Sequence, residues 1–598
     1  MIKSYYLFFI ILIFLIFINN FILCENNNNN KYNNNNNYPF INVDKIIYTN
    51  SSNSIYLVWS NEQFNLILQS SYNEEFDDIV MIGEYFDKIE TTGWGELNIT
   101  FNSNSATIQI SDNEQAYFTG FIESVLTGER INQMYNNFAA SEFTNSDHTP
   151  SPKLIDFLNT QMEFVRDQVF ENNGSSQYWY STGLIMSQFD GLVNGYQQSP
   201  FPQLSEIQLY ILTSAGDLET LVTLFPSSSS SSSSTTNENK NKNIKISSIK
   251  PNFKDELTDC SGFIRILPDY SDVYFGHTTW RYYYALLRIY KFINLQFNFQ
   301  DTPMEYKVSF SSSPGFISSK DDFYITGNKL AIMETTNNIY NESLYQYTIP
   351  QSVLVWQRAM IANMIATNSS DWVKIFSEFN SGTYQNQWMV FDYKLFIPNK
   401  QQSSSSLPPN TFWIAEQIPG QVKTADLTNI LNEQGYWKSY NIPYFESIYN
   451  ISGYSEKTDL PPSYQYSYEK CPRSLIFSRN ASDVLNFEDM KSLMQFNNYK
   501  TDPLSYSSPL NSISSRGDLL TIENGNRSAV AFGGVDSKIT SFNQVLTLSC
   551  TAISGPSTNG GTLPPFTWSQ SPLFQNITHI GVPETFNFDW QEMGPYPN

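Results

Sequence analysis

Histidine is nearly missing from this chain: His148, His277 and His579 are the three in 598 residues. A metal centre built from several histidines is therefore not expected, and a serine–histidine–acid enzyme would have to draw on the same three. No Gly-x-Ser-x-Gly elbow, Walker-type phosphate loop or His-Glu-x-x-His zinc motif is present. Basic residues are also few, 34 Lys and Arg against 57 Asp and Glu, for a formal net charge of −23. Nucleic acid is thereby excluded as a partner, because it requires a basic footprint. Cysteine is scarce, with four residues, of which Cys24 ends an N-terminal apolar run.

That run is the first positive feature. Met1-Ile2-Lys3 leads into apolar residues 5–18 and 21–24, which predicts a signal peptide over 1–24 cleaved near Cys24. An N-terminal membrane anchor is the rival, because the run approaches spanning length. No other segment does, so the mature protein is expected to touch lipid only peripherally, in a secreted or lysosomal lumen. Asn-x-Ser/Thr sequons at Asn50, Asn98, Asn173, Asn341, Asn368, Asn450, Asn480, Asn526 and Asn576 agree with that route. Removing the leader leaves Cys260, Cys471 and Cys550, an odd number. A Cys471–Cys550 disulfide would close a loop worth roughly 4–5 kcal/mol and leave Cys260 as the spare thiol. Other pairings, and a buried inert thiol, are equally open at this point.

With 40% hydrophobic and 16% aromatic residues the chain can bury a large core, and its 38 Tyr and 44 Phe favour β-rich packing. Residues 25–37 form an Asn-rich tail. A globular segment spans 38–226, with expected strands at Ser54–Trp59 and Ala106–Ile110 and expected helices at Gly120–Tyr135 and Lys153–Phe170. Residues 227–259 open with eight serines and continue polar, which reads as a solvated linker, a protease target or an excised segment. From Cys260 to residue 598 the pattern is rich in hairpins. Ser261–Leu267, Val273–Thr278, Lys329–Glu334 and Gln387–Phe396 read as strands, and Arg281–Ile293 and Ser352–Ala366 as helices. Irregular alternation of this kind predicts an α+β fold with antiparallel sheets.

One nucleophile could supply its own base. A cut between Asp259 and Cys260 would give Cys260 a free α-amino group, which titrates near ~7.7–8.0 when unperturbed and can take the thiol proton without a histidine. No cofactor is called for.

The stretch Asp259-Cys260-Ser261-Gly262-Phe263-Ile264-Arg265 and the later Phe275-Gly276-His277-Thr278-Thr279-Trp280 resemble the hallmark region of the phospholipase B-like (lamina ancestor) family. The resemblance continues through Ser318-Ser319-Lys320-Asp321-Asp322, Glu334-Thr335-Thr336, Asn380 to Trp388, Gly435 to Asn441, Ser515-Arg516-Gly517-Asp518 and Gly533 to Lys538. It implies a four-layer αββα N-terminal-nucleophile hydrolase fold with two stacked antiparallel sheets. It also implies a chain cut into two fragments (38–226 and 260–598) that stay associated, and Cys260 as the nucleophile releasing fatty acids from phospholipids and lysophospholipids. Gln385, Gly276 and Ser313 depart from the family pattern, and Ile580-Gly581-Val582-Pro583 lacks a histidine expected there.

Under this reading His277 and Trp280 line the pocket, although His277 is equally compatible with a structural, backbone-bonded role. Thr336 and Asn386 are oxyanion or positioning candidates, where one donor is typically worth ~3 kcal/mol; Asn386 also suits a turn cap. Arg516 holds either Asp518 or a substrate phosphate, an ion pair being the plainer reading. The alternatives to a phospholipase are a lumenal amidase or peptidase of the same fold and a non-catalytic lipid-binding glycoprotein.

Overall fold

The computed structural model describes residues 54–60, 63–69, 79–102, 110–227, 260–398, 406–457, 463–521 and 528–595. The expected leader, the Asn-rich tail, most of the serine-rich segment and the sequons Asn50 and Asn526 lie outside them. So does the expected strand Ala106–Ile110, apart from Ile110, which is not in a strand.

In chain order, β1 (Ser54–Ser60), β2 (Gln63–Gln69), β3 (Ile79–Lys88) and β4 (Trp94–Phe101) enter a large sheet. β5 (Ser261–Ile266) and β6 (Val273–Tyr282) then enter a smaller one. The large sheet resumes with β7 (Arg288–Phe299), β8 (Thr302–Ser312), β9 (Phe323–Thr326), β10 (Leu330–Thr336), β11 (Asn386–Asp392), β12 (Phe412–Ile418) and β13 (Gln421–Asp426). The small one takes β14 (Tyr436–Ser439), β15 (Phe532–Thr540) and β16 (Cys550–Ser554). β17 (Phe566–Thr567) and β18 (Thr585–Phe586) pair as a ribbon, and β19 (Gln591–Met593) ends the small sheet. The small sheet runs β14-β5-β6-β15-β16-β19. All pairings are antiparallel except β4 with β7, which is parallel.

Both faces of the central strands are buried, so their residues alternate between two apolar environments rather than between oil and water. On β11, Trp388 and Val390 pack with helices, while Met389 and Phe391 pack toward the small sheet. The helices on the first face are α1 (Asp112–Glu142), α2 (Pro152–Asn172), α3 (Gln177–Gln197), α4 (Glu206–Thr213), α5 (Ala215–Leu224), α6 (Val355–Ile365) and α7 (Ser369–Ser377). A capping box of Ser111 and Glu114 starts α1. α1 and α3 touch backbone to backbone: a Cβ on Gly120 would lie 1.8 Å from the Gln188 oxygen, and one on Gly191 1.8 Å from the Tyr117 oxygen. Between the sheets, Ile264 and Phe275 meet Phe292, Met333 and Met389. On the other face of the small sheet, Phe263 and Tyr274 meet α8 (Pro472–Asn480) and α9 (Phe487–Met494).

The molecule is thus a mixed α/β structure with stacked, predominantly antiparallel sheets. Two sequence expectations need correction. Arg281–Ile293 is not a helix: it is the end of β6, a short 3-10 turn at Tyr283–Ala285 and the start of β7. β7 lies between β4 and β8, and its residues 288–293 are all buried, so that stretch follows no period of two and imitates a buried helix. Cys471 and Cys550 form no disulfide; both are buried thiols. Cys471 caps α8 in the cluster outside the small sheet and Cys550 faces the cluster inside it, so the sheet itself separates them, which spacing along a chain cannot reveal. Of the described sequons, Asn173, Asn450 and Asn576 are exposed, Asn341, Asn368 and Asn480 half-buried, and Asn98 is buried within β4.

The segments before and after the serine-rich stretch share one core. Besides the β4–β7 pairing, Lys291 of β7 donates to Glu123 of α1 at 2.6 Å, with both groups buried. No helix among the described residues is long and apolar enough to cross a membrane. Breaking a buried ion pair from one side leaves an uncompensated charge. Lys291→Met is expected to destabilise the protein by about 3 kcal/mol in denaturant unfolding, with the double variant Lys291→Met/Glu123→Leu recovering most of that; a single variant as stable as the parent would contradict it.

Candidate active site

Cys260 stands immediately before β5 and is 3% exposed. The alternation of β5 turns positions 260, 262, 264 and 266 toward the large sheet, as Ile264 and Ile266 show. Its backbone is gripped from the opposite side. Arg473 of α8 donates to the Cys260 carbonyl oxygen, to Ser261 Oγ at 3.2 Å, to the Tyr440 carbonyl at 2.8 Å and to Asn441 Oδ1 at 2.6 Å. The same guanidinium lies 4.4 Å from the Trp280 ring centroid, a cation–π contact strengthened by burial.

Two charged groups of side chains flank the thiol between the sheets. On the small sheet, Lys538 donates to Asp536 at 2.5 Å and to Thr279 Oγ1 at 2.6 Å, and Arg288 from the large sheet reaches Asp536 at 2.9 Å and also pairs with Asp321. A Cys260 thiolate acts electrostatically on Lys538, raising its pKa against the larger lowering effect of burial. On the large sheet, the Tyr384 hydroxyl lies 2.7 Å from Asp322 Oδ2 and 3.0 Å from Glu334 Oε1, with Lys320 Nζ donating to it at 3.1 Å. Asn386 Nδ2 donates to the other Glu334 oxygen at 2.6 Å. Burial pushes the Glu334 carboxyl up to about 7, and burial plus the neighbouring Glu334 charge pushes Asp322 well above the ordinary carboxylate range. Burial and like charge thus both favour a protonated carboxyl in this pair. Tyr384 also feels the Cys260 charge, so this acid pair and the Lys538 group approach the thiol from opposite sheets.

The site also carries backbone strain. Cys260, Asp322, Tyr384 and Asn441 all have left-handed backbones, with φ of 50°, 48°, 47° and 69°. Residues in that region cost of order 1–3 kcal/mol each and persist only where the surroundings impose them. α5 supplies part of that imposition. A Cβ on Gly216 would lie 2.6 Å from the Tyr384 ring, Thr220 Oγ1 accepts from the Tyr384 N–H at 3.2 Å, and Glu219 pairs with Lys320 at 2.5 Å. The segment before residue 227 therefore shapes the site.

The expected residues fall in different places. His277 points between the sheets, fully buried, and burial with the Lys538 charge holds its pKa well below the ordinary value. The Glu334 carbonyl can only accept, so His277 Nε2–H donates to it at 2.9 Å, and Nδ1 accepts from Thr279 Oγ1 at 3.3 Å. Nε2 thus ties β6 to β10 across the two sheets, while Nδ1 is held within β6 itself. Trp280 faces the opposite side of β6, its Nε1 donating to the Ile513 carbonyl at 3.0 Å; it meets the site through Arg473. Thr336 and Asn386 are register partners on β10 and β11, and both turn toward Glu334. Asn386 Oδ1 is buried without a partner among the described residues. Arg516 belongs elsewhere: it forks onto Asp518 at 2.9 and 2.7 Å and donates to the Ser557 and Pro564 carbonyls, so protein groups occupy its guanidinium.

Sequence reasoning assigned no role to Glu334, Asp322, Tyr384, Lys320, Asp536, Lys538, Arg288, Arg473 or Asn441. The available signal was a charge inside an otherwise apolar strand, as in β10 and β15, where it needs a buried partner. No group of three or more His, Cys, Asp or Glu that could hold a metal ion occurs among the described residues.

A family model described as Phospholipase B matches residues 81–593. Phospholipase B-like protein B of Dictyostelium discoideum is 36% identical over 546 residues, covering 90% of this chain and 88% of that protein. Phospholipase B-like 1 of Homo sapiens is 37% identical over 523 residues, covering 86% and 87%. A solved structure, a mutant of conjugated bile acid hydrolase from Clostridium perfringens, aligns at a TM-score of 0.26 and 12% identity, covering 49% of this chain and 89% of that one; a likeness at that score carries no argument.

A carboxyl whose folded pKa lies above its free value favours the folded state fully below the free value and loses that contribution as pH rises through the folded one. For Glu334 the window runs from 4.5 to about 7, worth about 3 kcal/mol at 1.36 kcal/mol per unit. Glu334→Gln is expected to match the parent in stability near pH 5 and to gain on it by pH 8. Parallel stability–pH curves for the two proteins would refute a proton held at Glu334.

Proposed function

Because the chain belongs to the phospholipase B family, we propose that it is a hydrolase that releases fatty acids from phospholipids and lysophospholipids, with Cys260 as its nucleophile. The observation that carries the reading is the setting of Cys260: a buried thiol at the head of a central strand, its carbonyl clamped by Arg473, between Lys538 and the Tyr384–Glu334–Asp322 cluster. The apolar clusters on both faces of each sheet support the finer αββα N-terminal-nucleophile architecture.

Activation in this reading is a cut between Asp259 and Cys260 that leaves 38–226 and 260–598 associated, within a secreted or lysosomal lumen. The shared sheet and the Lys291–Glu123 pair supply the association. The left-handed φ of Cys260 exists only while a peptide bond precedes it; a cut removes that constraint, a relief of about 1–2 kcal/mol. The new α-amino group takes the thiol proton as Sγ bonds to the acyl carbon. The C–O bond to the lipid breaks and the proton passes to the departing alkoxide. Water then attacks the thioester, releasing the fatty acid and restoring the thiol. Burial lowers the pKa of an amine, which keeps the base competent in an acidic lumen. Asn386, its amide nitrogen held by Glu334, is the side-chain amide best placed to position substrate, whereas Asn441 is held at both ends, its oxygen by Arg473 and its nitrogen by the Thr336 carbonyl.

Terminal sequencing of the purified protein is expected to reveal a second chain beginning Cys260-Ser261-Gly262. Cys260→Ala is expected to remain one chain and to lose at least about a thousandfold in acyl release, the scale on which an essential nucleophile is felt. Full hydrolysis by that variant would remove Cys260 from the mechanism, and faster turnover of a matched amide than of the ester would move the substrate class.

A further inference from the structure

The small sheet ends at the edge strand β14, and a cavity of about 410 Å³ opens beside it. Three of its walls are aromatic. Trp437 meets Tyr444 with ring centroids 5.1 Å apart at 65°, and Tyr444 meets Tyr468 at 6.0 Å and 61°. The Trp437 side chain is buried, and its Nε1–H has no partner among the described residues. Glu433 stands exposed at the rim. Lys438 also borders the cavity, but its ammonium is engaged on the other face of β14, donating to Ser474 Oγ and Ser478 Oγ at 2.7 Å each.

A second carboxylate lies behind the aromatic wall. Glu416 is fully buried and accepts from Gln387 Nε2 at 2.7 Å and from the backbone N–H groups of Tyr444 and Phe445 at 2.6 and 3.1 Å. No basic group pairs with it among the described residues. Lys423, the lysine that faces it from β13, donates to Ser447 Oγ at 2.8 Å. The remaining titratable neighbours, Tyr444, Tyr454 and Tyr468, are neutral phenols that feel its charge. Burial pushes Glu416 up to about 7, so a cation in the cavity would favour its ionised form.

Aromatic rings with Glu433 at the rim and Glu416 behind them attract a weakly hydrated cation that can lay apolar groups against the rings. That describes a quaternary ammonium, whose charge is spread over methyl groups, and disfavours an anion, which the carboxylates repel. The register adds a spatial link. Trp437 is opposite Ile264 and Ser439 opposite Gly262, so Trp437 faces the same side of the sheet as Cys260, four residues along, or about 13 Å. One glycerophosphocholine lipid spans a distance of that order between its head group and an acyl ester. The geometry points to a head-group subsite: the cavity walled by Trp437, Tyr444 and Tyr468 takes the trimethylammonium of a choline phospholipid whose ester lies at Cys260. The link to Cys260 rests on the hydrolase reading above; the cavity's preference for a quaternary ammonium does not.

Calorimetric titration of the full-length Cys260→Ala protein separates the two. Choline, glycerophosphocholine and the neutral isostere 3,3-dimethylbutanol are the probes. Glycerophosphocholine is expected to bind more tightly than choline, and the neutral isostere about tenfold more weakly than choline, the scale of a desolvated cation–π site. Tyr468→Ala is expected to weaken binding about tenfold, whereas Tyr468→Phe retains it. Glu433→Gln, a rim change that spares the core, is expected to weaken binding severalfold and carries the test if Tyr468→Ala fails to fold. Affinity is expected to fall from pH 8 to pH 5 as Glu416 takes up its proton, and Glu416→Gln to flatten that slope. Absence of saturable choline binding at millimolar concentration, equal binding of the neutral isostere, or glycerophosphocholine no tighter than choline would each overturn the subsite. Binding as expected with no ester hydrolysis by the parent protein would instead sink the hydrolase reading alone.

Discussion

The ion-pair network of Arg288, Asp536 and Lys538, fully buried between the two sheets, sets the terms for everything around it. Charges removed from water are tolerated only when counter-charges and hydrogen bonds arrive with them, so the sheets can stack only in the arrangement that brings these groups together. Arg288 belongs to the large sheet, and Asp536 and Lys538 to the small one. The pairing therefore acts across the stack, as does the His277 bond to the Glu334 carbonyl. Apolar packing between Ile264, Phe275, Met333 and Met389 would hold the sheets together in many registers; the polar contacts restrict them to one.

That restriction explains why the proposed nucleophile sits where it does. Cys260 stands immediately before β5, and β5 lies between β14 and β6, so the strand's neighbours fix the height at which the residue stands, with a sheet above its side chain. Arg473 then fixes the carbonyl from the outside. The inner side chain is left facing a lysine on one sheet and an acid cluster on the other. The left-handed backbones of Cys260, Asp322, Tyr384 and Asn441 are a cost that the surrounding packing over-determines, α5 against Tyr384 being the clearest instance.

α5 and the β4–β7 pairing also show why the two halves of the chain form one folding unit. The segment before the serine-rich stretch contributes β1 to β4 and the helices α1 to α5 to a sheet and a helical layer that the later segment completes, and Glu219 and Thr220 reach residues beside the site. Neither half carries a closed core by itself, because the hydrogen-bonded edges of β4 and β7 would both be open.

Several of these features were legible in the sequence. Amphipathic periods located α2 and α6, alternation located β1 and β11, hairpin and turn signals located β5, β6 and β10, and the motifs around Cys260 identified the family. What the sequence could not express is anything that depends on which faces meet. The first half of β7 reads as a helix because it is covered on both sides. Cys471 and Cys550 read as a pair until a sheet is placed between them, and Trp280 and His277, three residues apart, turn out to serve opposite faces of one strand. Glu334 and Lys538 show in the sequence only as charges within strands, and Asp322 not even as that, because the proton affinity of a buried carboxyl comes from the water removed and the charges brought near. Those depend on groups that the fold, not chain order, brings together, and only the tertiary structure decides them.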